Sequence, residues 1–146
     1  MGQLTLPATG TVYLDADAII YAIEKIDPYA ALLLPLFEAI GQRILGLVGS
    51  EILLVETLVK PLAEGDADLE AAFRQFLTAS REMALIPVSR AVLERALELR
   101  VAHRIRTPDA IHAATALLAG YTLFVTNDPA FRRIDGLPVT VLDDLL

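Results

Sequence analysis

The stretch VYLDADAIIYAIE, Val12 to Glu24, begins as an apolar, β-branched and aromatic run, meets two aspartates one residue apart, and continues with helix-compatible apolar spacing. A strand that ends in carboxylates just before a helix is a frequent active-site layout in α/β proteins, because ligands collect beyond the carboxyl ends of parallel strands. A purely structural alternative exists at Asp17, whose side chain could cap a helix starting at Ala18 by accepting from a free backbone N–H. The rest of the chain decides between them.

Working outward, strand-like and helix-like segments alternate. Thr11–Leu14 and Ile44–Val48 read as strands, each followed by a helical pattern, and such alternation favours a parallel sheet covered by helices on both faces. Tyr29–Ile40 reads as helical with Pro35 expected to kink or break it. Ser50 is the expected N-cap of a helix ended by Pro61, and Gly65 with Asp66 marks a turn. Leu69–Ser80 places Leu69, Phe73, Phe76 and Leu77 on one helical face. Ala84–Val88 is a short strand, and Ser89–His103 a helix with Val92, Leu93, Ala96 and Leu99 inward. In RTPDAIHAATALLAG (Arg106–Gly120), Thr107 as N-cap, Pro108 at the first helical position and Gly120 past the end delimit a further helix. Tyr121–Val125 is a buried strand, and Leu137–Leu142 contains an edge strand.

Bulk properties bound the function. At 146 residues the chain has the length of one domain, 1–146, and chains of this size bury roughly 70% of their unfolded surface. A hydrophobic content of 55% and mean hydropathy of +0.53 hint at a self-association surface. No window reaches the ~18 consecutive apolar residues of a membrane span, and MGQLTLPATG lacks a signal-peptide core, so a cytoplasmic, non-membrane protein is expected. The absence of cysteine excludes disulfides and thiolate metal sites. A net charge of −7 argues against a broad electrostatic grip on nucleic acid. It leaves room for a local one, since Arg100, Arg104, Arg106, Arg132 and Arg133 gather in the C-terminal third.

Four acids stand out. Asp15 follows the first strand, Glu56 lies in the helix after the second, Asp109 is in the first turn of the Thr107 helix, and Asp128 follows Tyr121–Val125. Strand ends of a parallel sheet share one edge, so these distant residues can converge. Each also has a structural reading: Asp109 suits the positive end of a helix dipole, Asp128 before Pro129 suits a cap, and Glu56 suits a solvated face. Glu56 is the informative one, because Leu53, Leu54, Val55, Leu58 and Val59 leave it little polar surroundings, and a carboxylate so placed needs a partner. If the four converge, each pair at ~4 Å and an effective dielectric near 20 costs roughly 4 kcal/mol. Hard divalent cations relieve such repulsion, and Mg²⁺ or Mn²⁺ suits an all-oxygen site. Such a site can activate water and stabilise the leaving oxygen of a phosphodiester.

VYLDADAIIYAIE, SEILLVETL, RTPDAIHAATAL and FVTNDPAF together resemble the four acidic motifs of PIN domains, in order and spacing, and are most similar to VapC-type toxins of toxin–antitoxin pairs. The resemblance runs from about Val12 to Phe131. It implies a three-layer α/β/α fold with a central, mainly parallel sheet. It also implies a Mg²⁺- or Mn²⁺-dependent endoribonuclease acting on RNA, a homodimer, and a cognate antitoxin whose C-terminal segment covers the active groove. By motif, Asp15, Glu56, Asp109 and Asp128 become the catalytic, metal-binding quartet, and Thr126 and Asn127 match the polar residues before the last aspartate, in a supporting role. Asp17 replaces the commoner Asn or Ser, and three roles stay open for it: a fifth ligand, a group that positions one, or a cap.

The remaining readings are narrower. His112, three residues after Asp109, reads as a packed core residue amid Ile111, Ala113 and Ala114, with reach to the site as the alternative. His103 reads as a charge at a helix C-terminus. YLDADA also resembles the aspartate-nucleophile motif of haloacid-dehalogenase-type phosphatases, with Asp15 as nucleophile and Asp17 as acid/base. That chemistry recruits a late lysine, and only Lys25 and Lys60 exist. A third possibility is a PIN-like module that binds RNA or protein without cutting. YAALLLPLF (Tyr29–Phe37) is apolar nearly all round, hence deeply buried or at an interface, and it or the helix around Leu53–Leu58 is the expected dimer contact.

Overall fold

Strand-forming segments of two to six residues separated by helices or turns generate a five-stranded, all-parallel sheet in the structure, a computed structural model that describes residues 2–146. In chain order the elements are β1 (Gly10–Leu14), α1 (Ala16–Ile23), α2 (Tyr29–Gly41), β2 (Leu45–Ser50), α3 (Leu53–Glu64) and α4 (Ala67–Arg74). There follow a π-helical turn (Gln75–Ala79), β3 (Met83–Ile86), α5 (Arg90–His103), α6 (Thr107–Ala119) and β4 (Leu123–Thr126). A 3-10 turn (Pro129–Arg133), the short edge strand β5 (Thr140–Val141) and a final 3-10 turn (Leu142–Leu145) complete the chain.

The strand order is β3-β2-β1-β4-β5. The chain therefore moves from β1 outward in one direction, then crosses back to lay β4 on the other side of β1. The opening between β1 and β4 is a topological switch point, where two crossovers diverge and leave a crevice beyond the strand ends. Register pairs Val12 with Leu123 and Leu14 with Val125, so Asp15 and Asp128 leave the sheet at the same edge.

Side-chain alternation splits β1 between two cores. Val12 and Leu14 pack with Ile19, Leu33, Leu36, Leu53 and Phe73 on one face. Tyr13 packs with Phe124, Ala110, Ala113 and Phe131 on the other. Helices α1 to α4 thus cover one face and α5 and α6 the other, the three-layer α/β/α arrangement expected from the sequence. Gly10 opens β1 at φ 122°, where a Cβ would lie 2.1 Å from Thr122 Oγ1. Only glycine fits that approach.

Several local expectations are corrected. Pro35 and Pro61 both lie inside continuous helices. Each removes one backbone donor, yet packing of Leu33, Leu36 and Ile40 around the first, and burial of Leu58 and Pro61 itself in the second, outweigh that loss. The stop of α3 is Gly65, in the left-handed conformation at φ 66°. Ser50 ends β2 and its hydroxyl accepts from Ile52 N at 3.1 Å, closing a turn rather than capping α3. Thr107 is the first residue of α6, and its hydroxyl accepts from Arg100 Nη1 at 2.9 Å. Leu93 faces outward and is 47% exposed. In Tyr29–Phe37 one face is interior through Leu32, Leu33 and Leu36, while Leu34 on the other is 57% exposed.

Candidate active site

The helix that follows β1 starts two residues earlier than the sequence suggests, at Ala16 rather than Ala18, and this shift reassigns the two aspartates. Asp15 is the N-cap, its Oδ1 accepting from Ala18 N at 3.4 Å. Asp17 sits in the first turn and caps nothing. Asp128 likewise caps the Pro129–Arg133 turn through Ala130 N at 2.9 Å, and Asp109 occupies the first turn of α6. Capping and clustering are therefore compatible: helix N-termini hold these carboxylates at the same edge.

Asp15, Asp17, Glu56, Asp109 and Asp128, with Ala16, Arg106 and His112, line one pocket of about 90 Å³. At about 30 Å³ per water in the liquid, it has room for roughly three waters or a small hydrated ion. Larger cavities exist, of about 340 to 530 Å³, and two stand out by size. One, of about 460 Å³, is lined mainly by Ile23, Phe37, Ile40, Ala72 and Phe76; the other, of about 530 Å³, lies between Leu4 and Leu32 with Pro28 and Pro35. Both are largely apolar and gather no set of reactive groups, so size does not identify the chemical site here.

Asp15 is 5% exposed and Asp109 7%. Burial pushes Asp15 up to about 7, helped by Asp17, while the Thr126 hydroxyl and His112 pull the other way. Burial also raises Asp17, followed by repulsion from Asp128, Glu56 and Asp109. Asp109 is raised by burial and by Asp128, and lowered by Arg106. Burial is the largest cause of each of these shifts and mutual repulsion adds to it, an arrangement that a bound cation would relieve.

Local partners bear part of that charge. Thr126 Oγ1 donates to Asp15 Oδ2 and accepts from Asp128 N at 3.0 Å. Arg106 lies 3.5 Å from Asp109 and 4.0 Å from Asp128. His112 Nε2 is 2.6 Å from Glu56 Oε1, and its Nδ1 is 2.6 Å from the Tyr13 hydroxyl. Asn127 turns away: its Nδ2 donates to Tyr21 Oη at 3.1 Å and its Oδ1 accepts from Asp143 N at 2.8 Å, tying β4 to α1 and the C-terminal turn.

The all-oxygen donor set fits a hard divalent cation in chemistry. Among the described residues, no three acidic or histidine side chains stand together closely enough to hold one ion without side-chain movement. The side chains of Glu56 and Asp128 retain 27% and 29% exposure, so an ion can reach them from solvent.

The four acids expected to converge line one pocket together with Asp17, and three further residues stand beside them. His112 is buried, as expected, but bonded rather than merely packed. The i, i+3 spacing from Asp109 was the available signal. Arg106, three residues before Asp109, carried the same one. Tyr13 carried none, since a tyrosine within an apolar strand reads as core.

A family model described as PIN domain matches residues 12–137. Among solved structures, the chain is similar to VapBC2 from Rickettsia felis bound to a promoter DNA fragment, with 21% identity over 90% of this chain and 98% of that one and a TM-score of 0.68. FitAcB from Neisseria gonorrhoeae gives 18% identity, coverage of 88% and 95%, and a TM-score of 0.68. VapC20 from Mycobacterium tuberculosis, described as a sarcin-ricin loop cleaving toxin, gives 16%, 77% and 86%, and 0.64. At these identities the likeness carries the fold. No curated protein matches the chain.

Proposed function

Because the chain belongs to the PIN domain family, we propose that it is a divalent-metal-dependent endoribonuclease and the toxin of a toxin–antitoxin pair. The observation that carries this reading is the convergence of five carboxylates, from four separate stretches of sequence, on one pocket at the switch point of the sheet. Asp15, Glu56, Asp109 and Asp128 would hold Mg²⁺ or Mn²⁺, with Asp17 beside them. When bound, such an ion supplies Lewis acidity at the phosphate and lowers the pKa of a water.

The protein's own groups do the rest. Thr126 orients Asp15 and favours its ionised form. Arg106 offers a cation at the rim, 78% exposed, where an RNA phosphate would approach. It also competes with a metal for Asp109 and Asp128. Exposed ion pairs are worth ~0.2–1 kcal/mol, so Arg106→Ala is expected to tighten Mn²⁺ binding up to about fivefold by calorimetry while raising the KM for RNA. Looser binding of both would contradict this double role.

Incubation with structured RNA and Mg²⁺ or Mn²⁺, against a chelated control, tests the activity. Metal-independent or absent cleavage overturns it. The phosphatase alternative is disfavoured because no lysine lines the pocket, and Lys60 is engaged by Glu24 at 3.1 Å. A non-cutting module draws support from the absence, among the described residues, of three acidic or histidine side chains close enough to hold one ion, and predicts no carboxylate-dependent metal binding.

Two features support partners. The apolar groove between α2 and the π-helical turn suits a hydrophobic antitoxin segment. On α3, Val55, Val59 and Leu62 are 64%, 60% and 54% exposed at helical spacing, an apolar stripe fit for a homodimer. Light scattering at micromolar concentration is expected to give a dimer mass that Val59→Glu reduces to the monomer; a monomeric wild type removes this contact.

A further inference from the structure

The pocket is flanked by a hydrogen-bonded chain that enters it from the core. Tyr13 projects from the centre of β1, His112 from the second turn of α6, and Glu56 from the first turn of α3. Two links of 2.6 Å join them, Tyr13 Oη to His112 Nδ1 and His112 Nε2 to Glu56 Oε1. Tyr13 is wholly inaccessible and His112 2% exposed. The phenol ring is clamped by Phe124, stacked at 4.8 Å, and meets the imidazole edge-on at 5.7 Å. Neither ring has room to turn.

From this geometry we infer that Tyr13 and His112 are positioning residues that fix the Glu56 carboxylate for cation binding. The inference rests on the metal-site reading above. Glu56 is the one glutamate among the pocket's five acids, with one more rotatable bond than any aspartate and no helix-capping contact to hold it. It is also the only one given a ring N–H donor. The Tyr13 hydroxyl carries one O–H that it can donate to Nδ1. With the phenol donating to Nδ1, the imidazole presents Nε2–H to Glu56, and one carboxylate oxygen is pinned while the other remains available to the pocket. Hydrogen-bonded partners of this kind orient metal ligands, and their loss typically weakens binding about 10- to 100-fold.

Calorimetry with Mn²⁺ on the intact chain provides the test, in wild-type and Glu56→Gln backgrounds. His112→Leu is expected to weaken Mn²⁺ binding about tenfold in the first background and to have no further effect in the second. His112→Gln, whose amide can still donate, is expected to recover most of the affinity. In the milder Tyr13→Phe, nitrogen NMR of the His112 ring should change from a single Nε2–H tautomer to a mixture, with a smaller loss of affinity. Equal losses in both backgrounds, or wild-type affinity in a folded His112→Leu, would overturn the inference. Mn²⁺ binding that survives Asp15→Asn unchanged would instead overturn the metal site itself.

Discussion

Asp15→Asn is expected to abolish RNA cleavage, by roughly a thousandfold or more on the scale of single electrostatic stabilisers, and at the same time to stabilise the metal-free protein. The second half follows from the buried position of the carboxyl. Burial lifts its pKa in the folded chain from an ordinary 3.8 to about 7, so between those values the folded chain retains a proton that the unfolded chain has released. Stability is therefore lost as pH rises from about 4 to 7 and stays low above that. At about 1.36 kcal/mol per pKa unit the full penalty approaches roughly 4 kcal/mol. Asparagine removes the charge; its Oδ1 can still cap α1, and its Nδ2 can donate to the Thr126 hydroxyl where Asp15 Oδ2 accepted from it. Denaturant titrations in chelator at pH 8 should show the variant more stable than wild type by roughly 1–4 kcal/mol, with the advantage shrinking towards pH 4. Added Mg²⁺ should stabilise only the wild type. A variant less stable than wild type at pH 8 would contradict the buried, strained carboxylate that the metal site requires.

The same residue shows why the fold was more legible than the site. Alternating apolar runs and helical spacings impose the parallel sheet almost directly, because buried strands need continuous apolar residues and crossover helices need an apolar face. Asp15 and Asp17 were legible as acids at a strand end, but the assignment of the cap depended on where α1 begins, and helix starts shift by a residue or two with little change in sequence pattern. Pro35 and Pro61 failed as stop signals for a related reason: a lost backbone hydrogen bond is a local cost, and the packing that offsets it is visible only in three dimensions. Glu56 worked in the opposite direction. Its apolar neighbours demanded a partner, and the partner proved to be His112, on an element 56 positions away. Sequence alone could state the need without naming the residue, because spacing along the chain does not encode which helices of opposite layers meet at the sheet edge.

Thr126→Val should test how finely that edge is tuned. The two side chains are nearly isosteric, and both suit the end of a strand, so β4 should keep its place beside β1. Two hydrogen bonds vanish: Asp15 Oδ2 loses its donor and Asp128 N loses its acceptor. A hydrogen bond to a charged group is worth about 1.5–3 kcal/mol, and Thr126 is the strongest influence holding Asp15 towards its ionised form. Without it the carboxyl is pushed further above 7, is mostly protonated at neutral pH, and must release that proton before a cation can enter. Mg²⁺ affinity at pH 7 is expected to fall about 10- to 100-fold, and to recover in part by pH 9, where the proton is lost without help. Thr126→Ser, which restores the hydroxyl, should bind nearly as wild type. If the valine variant binds Mg²⁺ normally at pH 7, Asp15 does not depend on this hydroxyl, and the raised pKa of the carboxyl is not what limits ion entry.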